Sequence, residues 1–139
     1  MKPKTTVTKG NIIHRQWHII DLQDQVLGRV SVKIANLLQG KDKVDYSPNR
    51  DAGDYVIAIN AKNIRVTGKK MTDKIYYHHT GYAGHLRELT LEQLLKKDPR
   101  LVIAHGVKGM LPKNKLRDRR MTRLKIFIDA AHTYNDKIK

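Results

Sequence analysis

The stretch that decides the fold is WHIIDLQDQVLGRVSVKIANLLQGKDKVDYSPNRDAGDYVIAI, residues 17–59. It begins and ends with apolar runs of strand length, residues 17–21 and 55–59. Between them, apolar residues recur at the helical spacings of three and four: Leu27, Val30, Ile34, Leu37 and Leu38. Gly40 stands where a glycine commonly ends a helix. The second run is continuously apolar, as in a strand covered on both faces. The pattern therefore predicts a right-handed βαβ unit with a parallel sheet.

Downstream of this unit the pattern becomes more mixed. Residues 42–54 are expected to form a loop, and a short strand is predicted near Ile64–Thr67. A hairpin-like excursion then runs through Tyr76–His79. Thr90 is a predicted N-cap, with Gln93 at the capping-box position.

The C-terminal part is predicted to be mainly helical. Pro99 can begin a helix. Asn114 or Lys115 begins a second, very basic helix, whose apolar positions are Leu116, Met121 and Leu124. Residues 126–128 are predicted to form a last strand. The domain assignment is therefore an N-terminal arm over residues 1–14 and a single α/β domain over residues 15–139.

The composition restricts the classes of partner. Among 139 residues, Lys and Arg number 28 and Asp and Glu number 13, which gives a net charge of +15. Such a field attracts nucleic acid or an anionic membrane surface. One Trp and one Phe provide few anchors for a membrane surface, and no apolar run is long enough to span a bilayer. The absence of cysteine excludes disulfides and thiolate zinc sites. We therefore expect a cytoplasmic protein with no membrane partner and no small-molecule substrate.

Two dense basic regions are candidates for RNA binding. The first, KNIRVTGKKMTDKIYYHHTGYAGHLR (residues 62–87), mixes cations, aromatic and imidazole rings, and glycines. Cations can contact phosphates, rings can stack on bases, and glycines let the backbone come close. The second region covers residues 108–125. The alternative for the first region is a solvated hairpin with a few exposed aromatic residues.

The predicted RNA contacts fall into three groups. Phosphate contacts are assigned to Lys69, Lys70, Lys74, Lys108, Lys113, Lys115, Arg119, Arg120 and Arg123. Stacking or sugar contacts are assigned to Tyr76, Tyr77, His78, His79 and Tyr82. Close backbone approach is assigned to Gly81, Gly84 and Gly109. Trp17 is assigned to the edge of the core instead.

Motifs for other chemistry are weak. The segment 67–70, Thr-Gly-Lys-Lys, fails as a phosphate loop because Asn63 stands at the required glycine and Lys70 at the required Ser or Thr. Asp51 and Asp54, with His78 or His79, could support a metal-dependent nuclease. The preferred interpretation is that the two carboxylates cap turns and pair with nearby cations. No metal or other cofactor is therefore predicted.

Blocks that keep their order and spacing over about residues 15–128 make the chain resemble the bacterial ribosomal protein L thirteen family. The blocks cover residues 17–21, 27–29 with 34–35, 40–41, 46–48, 51–56, 60–61, 67–70, 73–82 and 107–113. The resemblance implies a three-layer α/β/α fold with a small, mostly parallel sheet, and no enzymatic activity. It also implies partners: large-subunit ribosomal RNA and neighbouring large-subunit ribosomal proteins, with a role early in subunit assembly. A free RNA-binding regulator would use the same surface and stays an alternative.

Overall fold

The computed structural model describes residues 13–138, so the predicted arm lies almost entirely outside the described residues. The strands are β1 (Trp17–Asp21), β2 (Tyr55–Ile59), β3 (Ile75–His79), β4 (Leu86–Thr90) and β5 (Leu124–Ile126). The α-helices are α1 (Leu27–Gln39), α2 (Lys70–Asp73), α3 (Leu91–Lys97), α4 (Pro99–Met110) and α5 (Leu116–Thr122). Short 3-10 turns occupy Ala61–Asn63 and Asn135–Lys137.

The predicted βαβ unit is confirmed. Strand β1 pairs in parallel with β2, in the register that places Trp17 beside Tyr55. Helix α1 connects them and ends at Gly40, whose φ of 76° is left-handed. The Gly40 N–H donates to the carbonyl oxygens of Asn36 and Leu37, which satisfies the last turn of the helix.

The main sheet is small and parallel. Its strand order is β1-β2-β5, so β2 is the central strand. Val56, Ile57 and Ala58 are all fully buried, as the continuous apolar run predicts. Strands β3 and β4 form a separate antiparallel pair. The predicted α/β class with a small, mostly parallel sheet is therefore confirmed.

The core lies between one face of this sheet and the helices. Apolar residues of α1, α4 and the sheet form one buried cluster that includes Val30, Ile34, Leu38, Val102, Ile103, Val107, Val56, Ala58 and Leu124. The alternate residues of the strands point to the opposite face of the sheet. There Trp17 stacks on Tyr55 with 4.3 Å between ring centroids and on Tyr134 at 5.2 Å. The C-terminal segment thus packs against the face opposite the helices, and half-buried Trp17 lies at the edge, as predicted.

The loop before β2 is held against the C-terminal end of α1 by a close backbone contact. A Cβ atom at Gly53 would lie 1.8 Å from the Leu38 carbonyl oxygen, so only glycine fits there. The Asp54 N–H donates to the Leu37 carbonyl oxygen at 3.0 Å. This contact fixes both neighbouring carboxylates, Asp51 and Asp54, beneath the helix.

Two helix starts follow the sequence signals. Thr90 caps α3, with both hydrogen bonds of the capping box to Gln93 present. Asp98 caps α4 through the Arg100 N–H, and Pro99 occupies the first turn of that helix. Within residues 13–138, no helix is long and apolar enough to cross a membrane.

Two strand predictions need correction. Residues 64–67 do not form a strand: three backbone hydrogen bonds join residues 63–65 to residues 24–27, and they form only a single bridge, between Arg65 and Val26. The last strand covers Leu124–Ile126 rather than residues 126–128. Leu124, predicted to lie on the basic helix, instead pairs with Val56 in the sheet and is 9% exposed.

Candidate nucleic-acid interface

The β3–β4 hairpin carries the first basic region on an exposed element. Between residues 69 and 88 only Tyr76 is half-buried, and the other residues are exposed. Its ring packs on the core and lies 5.6 Å from the His105 ring. The ammonium of Lys74 lies 5.2 Å from the centre of the same ring. Tyr76 therefore helps to attach the hairpin to α4, and it is not free to stack on a base as predicted.

The tip of the hairpin is an open turn. Gly81 and Gly84 have left-handed φ values of 94° and 74°, and a Cβ atom at either position would contact nothing within 4 Å. The Gly81 N–H donates to the His79 ring nitrogen Nδ1 at 3.0 Å. Tyr82 is 75% exposed and meets His85 edge to face. The glycines thus bring backbone and an aromatic ring to one accessible surface.

The first group of cations lies at the base of the hairpin. Lys69 precedes α2, Lys70 begins it and Lys74 follows it, and all three are exposed. Lys70 and Lys74 line a cavity of about 390 Å³. Met110, the last residue of α4, lines the same cavity. The end of α4 that leads into the second basic region therefore adjoins the first.

The second group of cations is exposed on α4, on α5 and between them. It comprises Lys108, Lys113, Lys115 and Arg119. Lys108 lies 4.0 Å from Asp118, which is the nearest carboxylate. Gly109 is exposed, and its helix face has room for a close approach.

Arg120 and Arg123 are not on this surface. They are 1% and 4% exposed, whereas phosphate contacts were predicted for both. The two guanidinium nitrogens of Arg123 each lie 2.6 Å from an Asp51 carboxylate oxygen. Arg120 lies 3.6 Å and Arg15 3.8 Å from the same carboxylate. The structure buries Arg120 and Arg123 in an ionic cluster in which Asp51 is the carboxylate partner of both and offsets part of their positive charge.

The cluster also satisfies backbone carbonyl groups. Arg123 donates to the Leu38 carbonyl oxygen at 3.1 Å, and Arg120 donates to that of Arg50 at 3.3 Å. Burial raises the pKa of the Asp51 carboxyl, but the hydrogen bonds and charge of Arg123 outweigh it and lower that pKa below its ordinary value. The ionic cluster thus joins the end of α1, the loop before β2 and α5.

Asp54 makes a second, separate ionic contact. Its carboxylate accepts hydrogen bonds from the Lys43 ammonium, from the Gln16 N–H at 3.0 Å and from His18, whose Nε2 lies 3.0 Å away. Burial raises the pKa of Asp54, and the hydrogen bonds from Lys43 and His18 lower it further than burial raises it. Both aspartates are therefore fixed structural groups.

This arrangement does not assemble the residues of the nuclease alternative into one site. Asp51 and Asp54 are occupied by cationic side chains, and His78 and His79 stand on the hairpin. Across residues 13–138, no three His, Asp or Glu side chains come close enough to hold a metal ion. The preferred interpretation, in which the carboxylates pair with cations, is confirmed. Asp51 pairs with Arg123, and Asp54 pairs with Lys43.

Sequence reasoning missed the ionic cluster because its members are far apart in the chain. Asp51 and Arg123 are 72 residues apart. One local signal exists: Leu116, Arg120 and Leu124 are spaced by four, so Arg120 falls on the apolar stripe of the predicted helix. A charged residue on such a stripe indicates a buried ion pair.

Sequence comparison relates the chain to known proteins. Residues 15–133 match the family described as Ribosomal protein L13. The chain belongs to this family. Relatives named large ribosomal subunit protein uL13 are 47% identical in Wigglesworthia glossinidia brevipalpis and 44% in Clostridioides difficile, each over 94% of this chain and 92% of the relative. The relative of that name in Pelobacter propionicus is 46% identical, over 95% and 93%. The resemblance found in the sequence is confirmed, and the family is one of ribosomal proteins rather than enzymes.

Proposed function

We propose that this protein is a structural component of the large ribosomal subunit that binds large-subunit ribosomal RNA through its two groups of exposed cations. Relatives that carry the name of a large-subunit protein support this assignment over nearly the whole chain. The same assignment locates the protein in the ribosome, where neighbouring ribosomal proteins are its other partners.

One observation carries the proposal: apart from Lys108, the exposed cations of the two groups have no carboxylate partner, whereas Arg120, Arg123 and Lys43 each pair with a carboxylate. Asp51 and Asp54 serve Arg123, Arg120 and Lys43. Among residues 13–138, no carboxylate lies within ion-pair distance of the exposed cations Lys69, Lys70, Lys74, Lys113, Lys115 or Arg119. Unpaired cations on a surface are available to phosphates, and each contact releases counterions from the RNA.

The two groups then act together on the RNA. Both lie on elements fixed to one core, and they adjoin at the cavity between α2 and the end of α4. Phosphates from different RNA segments that bind these cations repel one another less, so the segments can approach. This is how the protein would support early subunit assembly. The hairpin tip, with Gly81, Tyr82 and Gly84, adds a surface on which an unpaired base can stack.

The salt dependence of binding to isolated large-subunit ribosomal RNA tests the proposal. Six to ten phosphate contacts should reduce the affinity by roughly 10³ to 10⁵ between about 50 and 200 mM salt. Fluorescence anisotropy or filter binding measures this slope. An affinity that stays flat over the same range contradicts the phosphate mechanism.

A charge-matched pair of variants locates the surface. The triple change Lys113→Ala, Lys115→Ala and Arg119→Ala should flatten the slope by up to about 0.9 for each phosphate that the variant no longer neutralises. The control replaces three exposed lysines elsewhere: Lys33, Lys41 and Lys97. It removes the same net charge, so an equal effect of both variants would mean that RNA responds to total charge and not to this surface.

A further inference from the structure

The β3–β4 hairpin has two chemically different faces, because side chains alternate along each strand. Cross-strand pairing groups Tyr76 with Leu89 and His78 with Arg87 on one face. We call the other the outer hairpin face. It is defined by the residues Ile75, Tyr77, His79, Leu86 and Glu88.

The first face, with Tyr76, Leu89, His78 and Arg87, is accounted for by contact with the core and by its charge. Near the core, Tyr76 and Leu89 are packed against the buried cluster. Toward the tip, exposed His78 lies opposite exposed Arg87, which makes this part basic and suited to phosphate. Nothing comparable within residues 13–138 covers or explains the outer hairpin face.

Three of the five residues of the outer hairpin face are large, apolar and exposed among residues 13–138. Ile75, Tyr77 and Leu86 are 40%, 62% and 53% exposed. In a chain of net charge +15, grouped exposed apolar residues stand out, and such groups mark interaction surfaces. Directly across from Tyr77 stands Glu88, and no cation within the described residues pairs with it.

From this pattern we infer that the outer hairpin face docks a neighbouring ribosomal protein, through a segment that presents a Lys or Arg flanked by apolar side chains. The inference rests on the proposed function, since it assigns a surface to a protein partner within the same particle. The apolar strip supplies buried area, and the Glu88 carboxylate selects a cationic residue.

The charge of Glu88 disfavours RNA as the occupant. A carboxylate in the middle of the contact would repel phosphates and would lose its hydration without a partner. Ile75 and Leu86 offer no ring for a base. Tyrosine is enriched in protein interfaces, so exposed Tyr77 suits a protein partner as well as it suits RNA. The prediction that Tyr77 contacts RNA is replaced here by a contact with protein.

Site-specific crosslinking in assembled large subunits tests the inference. A photoreactive benzoylphenylalanine at position 77 should form an adduct with a protein peptide that contains Lys or Arg beside apolar residues. The matched probe at position 78, on the other face, should form an adduct with RNA. An RNA adduct at position 77, or no adduct there, overturns the inference.

Two substitutions separate the protein contact from RNA binding. Glu88→Lys and Leu86→Ser alter exposed positions, so both variants should keep the wild-type circular dichroism. Both should bind protein-free ribosomal RNA as well as wild type or, for Glu88→Lys, more tightly. Their retention on large subunits after a high-salt wash should fall about tenfold, which corresponds to about 1.4 kcal/mol.

The outcomes distinguish this inference from the proposed function. Weaker binding of Leu86→Ser to protein-free RNA would make the outer hairpin face an RNA surface and would overturn the inference. Unchanged retention of both variants on washed subunits would overturn it too. If the wild-type protein itself fails to bind protein-free RNA, the proposed function fails instead, and no variant is needed to see it.

Discussion

At the scale of single residues, the Asp51 carboxylate decides which arginines are structural and which remain available. It holds both guanidinium nitrogens of Arg123 at 2.6 Å and lies near Arg120 and Arg15. Arg119, next in the chain to Arg120, is exposed to solvent. Two neighbouring arginines of one helix thus have different roles, one in the proposed RNA binding and one in the ionic cluster. Substitutions can distinguish these two roles.

Replacing Arg123 with Ala should lower the free energy of unfolding by about 3–5 kcal/mol, because it removes a buried guanidinium and leaves the half-buried Asp51 carboxylate without its main partner. Urea denaturation measures this change. The matched control is Arg119→Ala, which should change stability by less than about 0.5 kcal/mol and weaken RNA binding instead. Equal stability of the two variants would contradict the structural role of Arg123.

Stability should depend on pH through Asp51 and Asp54. The folded-state pKa of each is lower than its ordinary value of 3.8. Each carboxylate therefore contributes stability that is present above pH 3.8 and is lost as the pH falls through the folded pKa.

Denaturation between about pH 6 and pH 2.5 measures this loss. The variant Asp51→Asn should be less stable near neutral pH, and its stability should fall less steeply in acid. Asp45→Asn, at an exposed position, serves as the control and should follow wild type. A wild-type curve that stays flat through this range would show that the two aspartates contribute little to stability.

At the scale of elements, the boundary between β4 and α3 depends on one hydroxyl group. The Thr90 side chain accepts a hydrogen bond from the Gln93 N–H, and the Gln93 side chain accepts one from the Thr90 N–H. Because α3 follows the hairpin without a loop, this cap also fixes the direction in which the hairpin leaves the core.

Thr90→Ala should lower the free energy of unfolding by about 1 kcal/mol, since the first turn of α3 loses its side-chain acceptor. Thermal or urea denaturation measures the loss. Thr133→Ala, at an exposed position outside the α-helices, is the matched control. If both threonine variants are equally stable, the capping box contributes nothing.

Sequence patterns predicted these elements well where the signal is local. Apolar spacing and Gly40 indicated α1, the continuous apolar run indicated β2, and the Thr90–Gln93 pair indicated the start of α3. The sequence patterns failed where tertiary contacts determine the conformation or the burial of a residue. Leu124 fits a helical stripe equally well, but pairing with Val56 draws it into the sheet. The burial of Arg123 depends on Asp51, and no local pattern joins two residues so far apart.

At the scale of the whole molecule, the net charge of +15 affects folding and binding in different ways. Like charges repel within the compact free protein, so the charge destabilises it. The same charge attracts RNA. Dissolved salt weakens both effects, since the screening length falls to about 10 Å at 0.1 M.

Salt should therefore stabilise the free protein while it weakens the complex. Between about 10 and 200 mM NaCl we expect the melting temperature of the free chain to rise by a few degrees, because self-repulsion is screened. The buried Asp51–Arg123 pair is screened much less. Differential scanning calorimetry measures the shift, with sucrose as an uncharged control. A melting temperature that falls with salt would mean that surface ion pairs outweigh the repulsion.

The position of β5 also affects the order in which contacts form during folding. The hairpin closes contacts between near neighbours, which form quickly, whereas Arg123, directly before β5, pairs with a residue 72 positions away. Until β5 arrives, one edge of the apolar central strand is open to other chains. Late pairing of β5 would leave this edge exposed to aggregation, and a polyanion that binds the cations early would shorten that exposure.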